Sequence, residues 1–99
     1  MQSVSDFPWE YKHVAADALV RTGQGVLHSI VLNGLTTAGD ATLYDNVEAA
    51  GTAIIGILHL ATTTSVSVQP ITLLYDVELK TGLYIEFDTL VADLTVSYK

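Results

Sequence analysis

Residues 71–88 read ITLLYDVELKTGLYIEFD, and they predict two β-strands separated by a turn. Apolar side chains occupy every second position across residues 71–79 and again across residues 83–87. Because successive side chains of a strand point to opposite faces, this spacing gives each strand one apolar and one polar face. The intervening KTG, residues 80–82, is a turn signal. The segment therefore predicts antiparallel β-structure with one face of each strand in a core.

The same alternation recurs along most of the chain. One side of the strand that begins at Val26 is expected to hold Val26, His28, Ile30 and Leu32, and the other Leu27, Ser29, Val31 and Asn33. Residues 52–60 are apolar on both faces, which is typical of a central strand covered on each side, and Gly56 within them indicates a bulge or a close neighbour. A last alternating strand covers residues 94–98, LTVSY. We predict an all-β, single-domain antiparallel β-sandwich, jelly-roll-like or a partly open barrel, of about seven to eight short strands.

The first 16 residues differ in composition from the rest and predict an extended N-terminal arm ahead of a β-sandwich domain over residues 17–99. A proline in this arm lacks a backbone donor and holds its neighbourhood extended. Phe7, Trp9 and Tyr11 are spaced by two, so an extended arm presents the three rings on one side. Since aromatic residues are frequent interface anchors, we expect these three to bind a partner. Two alternatives stay open: an arm folded back over its own sandwich, and a disordered arm.

The composition favours association with other molecules. Hydrophobic residues make up 49% of the 99 residues and charged residues 15%, against a usual charged fraction of about 25%. A chain of this length buries roughly two-thirds of its unfolded surface at best. The remaining apolar surface favours oligomerisation or docking on a larger assembly, with an unusually apolar monomer as the alternative.

The charge argues against nucleic acid as a partner. The formal net charge is −7, and the few lysines and arginines form no cluster along the sequence, whereas phosphate backbones are bound by grouped basic residues. The absence of cysteine excludes disulfides and thiolate zinc sites. The N-terminus lacks the features of a signal peptide, and the longest apolar run, residues 53–58, is far shorter than the ~20 residues of a membrane helix. We therefore expect neither a nucleic-acid nor a membrane partner.

The residues capable of metal chemistry show no metal-site spacing. Three histidines lie far apart, and we interpret them as one core histidine and two ordinary ones. Four aspartates lie near strand ends, where loops could gather them around calcium, but without an Asp-x-Asp-x-Asp loop we favour solvated turn residues. These residues are His13, His28 and His59, and Asp40, Asp45, Asp88 and Asp93.

The hydroxyl-bearing residues show no catalytic pattern. Serine and threonine are abundant, but none lies in a Gly-x-Ser-x-Gly elbow. We expect no catalytic residue, no cofactor and no enzyme activity. Four tyrosines of the body could stack on sugars, although tyrosine is also a common β-sheet residue; they are Tyr44, Tyr75, Tyr84 and Tyr98.

Three parts of the chain form a recognisable series. They are LVRTGQGVLHSIVLN at 19–33, then LYDN at 43–46 with GTAII at 51–55, then TGLY at 81–84 with LTVSYK at 94–99. Together they resemble segments of small structural proteins of tailed bacteriophages. Their order and spacing agree with the phage proteins, apart from a final lysine where arginine is more usual. The resemblance covers about residues 19–99 and omits the arm.

The resemblance implies a virion component built as a β-sandwich and placed on the capsid or at the tail. We expect a non-enzymatic capsid decoration protein on the outer capsid surface, made in the host cytoplasm. Its expected partners are the major capsid protein and copies of itself, in a homotrimer. The alternative is a head-fibre, tail or baseplate module that binds a host-surface glycan with millimolar-range affinity through exposed tyrosines. A third hypothesis is an adaptor protein with no virus involved.

Overall fold

Eight β-strands arise from the alternating segments, and the computed structural model describes residues 9–60 and 71–99. The strands are β1 (Glu10–Val14), β2 (Ala18–Thr22), β3 (Gly25–Thr37), β4 (Gly39–Tyr44), β5 (Ile54–Leu60), β6 (Ile71–Leu79), β7 (Gly82–Asp88) and β8 (Val91–Tyr98). Their many β-branched and aromatic side chains fit a pleated surface. In these two stretches, no helix has the length and apolarity needed to cross a membrane.

The strands form two four-stranded antiparallel sheets. Sheet A has the order β1-β8-β3-β6, and sheet B has the order β2-β7-β4-β5. Consecutive strands alternate between the sheets, except for the β4–β5 hairpin, which lies within sheet B. This is the strand order of an eight-stranded jelly roll. The predicted all-β antiparallel sandwich is confirmed, in its jelly-roll form.

The core lies between the two sheets and draws side chains from both. Burying a leucine or isoleucine side chain stabilises the fold by about 1.5–3 kcal/mol. The largest fully buried side chains are Leu27, Ile30, Leu32, Leu43, Leu79, Leu83, Ile85, Leu94, Val14 and Val96. Because side chains alternate along each strand, the outer face of each sheet presents the remaining residues to solvent or to partners.

Strand β3 departs from the predicted alternation at His28. Leu27 is buried before this point, and Ile30 and Leu32 are buried after it. Strict alternation would place Leu27 on the face opposite to that of Ile30 and Leu32. The register of β3 with both neighbours shifts between Leu27 and Ser29. Such a β-bulge changes which face the following residues occupy. The predicted assignment of faces is therefore wrong at this bulge, and His28 lies on the outer face of sheet A.

Strand β5 lies at the edge of sheet B, whereas its composition predicts a central strand. Among the described strands it pairs only with β4, and Ile54 and Ile57 on its outer side are each 45% exposed. Its inner side, with Leu58 and Leu60, packs against the core. The irregularity predicted at Gly56 is found, because the register with β4 shifts beside it.

The described part of the predicted arm is a strand of sheet A. Strand β1 pairs antiparallel with β8, from Glu10 opposite Tyr98 to Val14 opposite Leu94, and Val14 belongs to the core. From Glu10 onward the chain thus follows the folded-back alternative. Residues 1–8 lie outside the described residues, so an intermolecular role for that part of the arm stays a prediction.

Asp45 connects several loops at one pole of the sandwich. Its carboxylate accepts hydrogen bonds from the backbone N–H groups of Lys80, Thr81 and Gly82 at 3.0, 2.9 and 3.2 Å. Its own N–H donates to the Ala53 carbonyl at 2.7 Å. Desolvation by burial would raise the pKa of Asp45, but the three backbone donors and the Lys80 charge outweigh it and lower the pKa below its ordinary value.

Candidate interaction faces

The outer face of sheet B carries four apolar side chains in one row across the strands. In strand order the row, which we call the apolar row, is Leu19, Tyr84, Tyr44 and Ile54, each directly opposite the next. Leu19 is 42% exposed, and the two tyrosines between the aliphatic ends are half-buried. Since opposed residues interact across strands, the row is a continuous strip. It spans three inter-strand spacings, or about 14 Å.

The charged groups beside the apolar row are acidic. The next row of the same face contains Glu86, Thr42 and Ile57, and the alternation of β4 and β7 places Asp40 and Asp88 beyond it on the same side. We call Glu86, Asp88 and Asp40 the acidic rim. An apolar centre with a polar rim is the usual anatomy of a protein interface.

Tyr44, at the middle of the apolar row, is held by the acidic rim. Its hydroxyl donates a hydrogen bond to Glu86 Oε1 at 3.3 Å. Desolvation raises the pKa of the Tyr44 hydroxyl, and the charge and the hydrogen-bond acceptor of Glu86 raise it further. The phenol is therefore protonated at neutral pH, and the Glu86 contact fixes the orientation of its ring within the row.

The outer face of sheet A carries a stacked aromatic pair. The rings of Trp9 and His28 are nearly parallel, with an interplanar angle of 5° and a centroid separation of 4.2 Å. We call these two residues the stacked pair. His28 Nδ1 also lies 2.5 Å from Asp76 Oδ1. The indole is thus packed on a ring whose own orientation is fixed by a hydrogen bond.

A polar network covers the other end of this face. His13 Nε2 lies 2.7 Å from Asp93 Oδ1. Asn33 Nδ2 donates to the same oxygen at 3.3 Å and to Thr95 Oγ1 at 2.9 Å. We call these four residues the polar network. Tyr11 lies along β1 between the network and the stacked pair, and it is 76% exposed.

Two of the three predicted arm anchors share this face, namely Trp9 and Tyr11, while Phe7 lies outside the described residues. Their role in binding a partner stays a prediction. Sequence reasoning missed the apolar row, because its members come from four strands and meet only through the strand order. Two features of the sequence pointed towards it. The alternation of residues 83–87 places Tyr84 on the outer face, and residues 52–60 are apolar on both faces.

The histidines and aspartates are distributed in pairs. His59 Nδ1 lies 2.9 Å from Asp40 Oδ1, and the other two histidines each face one aspartate in the contacts given above. Asp45, considered as a calcium ligand, binds backbone N–H groups. Within residues 9–60 and 71–99, no three side chains of His, Cys, Asp or Glu form a group that could hold a metal ion.

A shallow cleft of about 440 Å³ opens where the β2–β3 turn meets the last residue. Arg21 in its wall donates from Nε and Nη2 to the Gln24 carbonyl at 3.0 and 2.6 Å. This guanidinium therefore supports the turn. The cleft is lined by Arg21, Gln24, Gly25, Val26, Glu78 and Lys99.

The two outer faces differ in chemistry. Sheet B presents an apolar strip with acidic neighbours, and sheet A presents exposed aromatic rings beside hydroxyl, amide and carboxylate groups. Both faces are built on hydrogen-bonded strands, so the described structure already fixes their side-chain positions. A scan of protein-family models, a search of curated proteins and a search of solved structures find no match to this chain.

Proposed function

We propose that this chain is a non-enzymatic structural protein of a tailed-phage virion, which binds the outer capsid shell and stabilises it. Its partners are the major capsid protein and further copies of itself in a homotrimer, and it is made in the host cytoplasm. The apolar row carries the proposal, because an apolar strip with polar groups beside it is typical of a protein–protein interaction site. The resemblance of residues 19–99 to phage structural proteins supports it.

The segments that carry the resemblance support one another in space. Asp45 belongs to the segment 43–46, and it accepts hydrogen bonds from Thr81 and Gly82 of the segment 81–84. Gly23, within the segment 19–33, donates its N–H to the Thr81 carbonyl at 2.8 Å. Parts of these three segments thus meet at one hydrogen-bonded pole of the sandwich.

Sheet B is the face that we propose for the shell. A rigid sheet surface loses little conformational entropy on binding, which suits a protein that occupies many identical sites. The acidic rim beside the apolar row favours a partner surface that is apolar at its centre and basic around it, because complementary charges select partner and orientation. The capsid surface beneath the protein is therefore expected to carry lysine or arginine opposite Glu86 and Asp88.

The test is the copy number of this chain in purified particles of its source, measured by quantitative mass spectrometry against the major capsid protein. Decoration requires a ratio near one, or near a simple fraction set by the capsid lattice. A handful of copies per particle would contradict decoration and favour the glycan-binding tail or head-fibre alternative. Absence from the particles would overturn the virion assignment altogether.

A further inference from the structure

We propose that the outer face of sheet A is a binding site for a neutral saccharide. The first observation is the stacked pair. A pyranose ring packs its C–H groups on an aromatic ring, and such contacts are favourable when the ring is already in place. The stack of Trp9 on His28 and the hydrogen bond from His28 to Asp76 hold the indole in place before a ligand arrives. Binding of a ligand then costs little conformational entropy of the indole side chain.

The second observation is a trough of small side chains beside the stacked pair. One row across sheet A runs from Tyr11 through Ser97 and Ser29 to Leu74. The aromatic and aliphatic ends of this row are 76% and 67% exposed. They stand about 14 Å apart, three inter-strand spacings, with two serines between them. Ser29 is buried, at 6% exposed, so Tyr11, Ser97 and Leu74 form the surface of this row and are the side chains offered to a sugar ring.

The third observation is the polar network at the far end of the trough. Sugar hydroxyls both donate and accept, so their sites combine amide, carboxylate and hydroxyl groups on planar side chains. The bonds within the network use Asn33 Nδ2 and Asp93 Oδ1. Among residues 9–60 and 71–99, these bonds leave the amide oxygen of Asn33 and the Oδ2 atom of Asp93 for the hydroxyls of a ligand.

The charge of the face selects a neutral ligand. The acidic side chains of this face are Asp76, Glu78 and Asp93, and its two histidines each contact one of these carboxylates. The chain as a whole carries a formal charge of −7. Sialylated, sulfated or uronic-acid sugars are therefore repelled, whereas neutral hexoses and N-acetylhexosamines are not. The site is separate from the apolar row, which lies on the other sheet. It can bind its ligand whether or not sheet B docks on a shell.

Trp9 is the only tryptophan of the chain, so its fluorescence reports on this site without labelling. We would titrate the full chain with cellotriose and chitotriose as neutral probes and with sialyllactose as the anionic probe. Amide chemical shifts from ¹H–¹⁵N spectra of the same titrations locate the contact. The expected result is saturable binding of a neutral trisaccharide, with shifted amides on β1, β3 and β8 and weaker binding of sialyllactose.

Two variants make the assignment specific. Tyr11→Ala and Asn33→Ala change exposed side chains, and each removes one stacking or hydrogen-bonding contact, which corresponds to about tenfold weaker affinity. Val47→Ala is the control, because this side chain is also exposed but belongs to neither face. A lack of response to both neutral probes would overturn the proposal, as would binding that Tyr11→Ala and Asn33→Ala leave unchanged. Neither result bears on copy number in particles, so shell binding is judged separately.

Discussion

The carboxylate of Asp45 joins its own loop to the β6–β7 connection, which lies about 35 residues further along the chain. That connection is in turn bonded to the β2–β3 turn, because Gly23 donates its N–H to the Thr81 carbonyl. Before the strand order is known, Asp45 and its neighbour Asn46 indicate only a turn. The structure shows that this turn is also a cap for the β6–β7 connection.

Asp45→Asn should lower the free energy of unfolding by about 1–2 kcal/mol, because an amide oxygen accepts the three backbone bonds more weakly than a carboxylate does. The measurement is urea denaturation followed by circular dichroism. Glu48→Gln, an equal charge change on an exposed residue of the same loop, is the control and should have little effect. Equal stability of the two variants would show that Asp45 does not cap this pole.

The lowered pKa of Asp45 predicts a pH dependence of stability. Because the pKa is lower in the folded chain than in the unfolded chain, the unfolded chain binds the proton first as the pH falls. The stabilisation is complete well above the unfolded value of about 3.9 and is lost as the pH falls through the folded pKa. The stability gap between the parent chain and Asp45→Asn should therefore narrow below about pH 4. A gap that stays constant from pH 6 to pH 2.5 would contradict this.

Gly82 is required by the close approach of neighbouring backbone. A Cβ atom at this position would lie 2.5 Å from the Arg21 carbonyl oxygen and 3.2 Å from that of Asn46. We expect Gly82→Ala to destabilise the chain by about 1–3 kcal/mol through this overpacking. Gly34→Ala is the matched control, since no atom lies within 4 Å of a Cβ atom there. Thermal unfolding of the two variants compares them, and similar midpoints would refute the steric argument.

At the scale of the strand, β6 and β7 follow their sequence pattern and β3 does not. The alternation of residues 71–79 predicts their exposure correctly along the whole strand. In β3 a bulge at His28 reverses the faces, and the residues give no warning of it, because a bulge is set by the register with β6 and β8. Local patterns therefore predict the strands, but the register comes from pairing partners that are distant in sequence.

Strand β5 was predicted to be a central strand, but it lies at the edge of sheet B, although the apolar pattern behind the prediction is real. Its apolar residues on both faces indicate that both faces are to be covered. The core covers one face, and within the described residues nothing covers Ile54 and Ile57 on the other. The prediction of a central strand failed because it assumed that the cover must come from the same chain. Under the proposed function, the cover comes from the capsid.

The double variant Ile54→Ser with Ile57→Ser should separate binding from stability. Both side chains are 45% exposed, so we expect the unfolding free energy to change little, by about 0.5 kcal/mol for each surface substitution. Binding to undecorated capsids, measured by co-sedimentation, should fall at least about tenfold, because the change replaces two apolar contacts of the proposed interface with polar groups.

The matching control is Val47→Ser, an exposed aliphatic residue outside the apolar row, which should bind capsids like the parent chain. If the double variant also binds capsids like the parent, sheet B is not the docking face. If the double variant unfolds, the single variant Ile57→Ser answers the same question with a smaller change.

At the scale of the whole molecule, the arm hypothesis is best tested by deleting residues 1–8, which is less than the full predicted arm of residues 1–16. Removing residues 1–13 would delete most of β1 and uncover the edge of β8, which confuses folding with binding. Removing residues 1–8 leaves all eight strands. We expect this chain to unfold at the same urea concentration as the parent and to bind capsids more weakly. Undiminished capsid binding would rule out an anchoring role for the first eight residues.

The fold class was predictable from sequence, and the strand order was not. Alternation and turn residues indicate a small antiparallel sandwich, since they act locally. The order of strands depends on which hydrophobic faces meet, and many arrangements bury the same residues. The candidate faces could be predicted only in part. Residue type and spacing pointed to Trp9 and Tyr11. Their polar neighbours and the apolar row could not be predicted, because both depend on the positions of β7 and β8 in the strand order.

The strand order has a consequence for the synthesis of the protein. Strands β7 and β8 come after the six other described strands in the chain, and both are interior strands, with β7 between β2 and β4 and β8 between β1 and β3. Until they emerge, each sheet lacks an inner member, and nearly all pairing waits for contacts across a long stretch of chain, which makes folding slow and late. Tyr84 enters the apolar row with β7. A chain that ends before β7 therefore has no complete apolar row, and under the proposed function it lacks the surface that binds the shell.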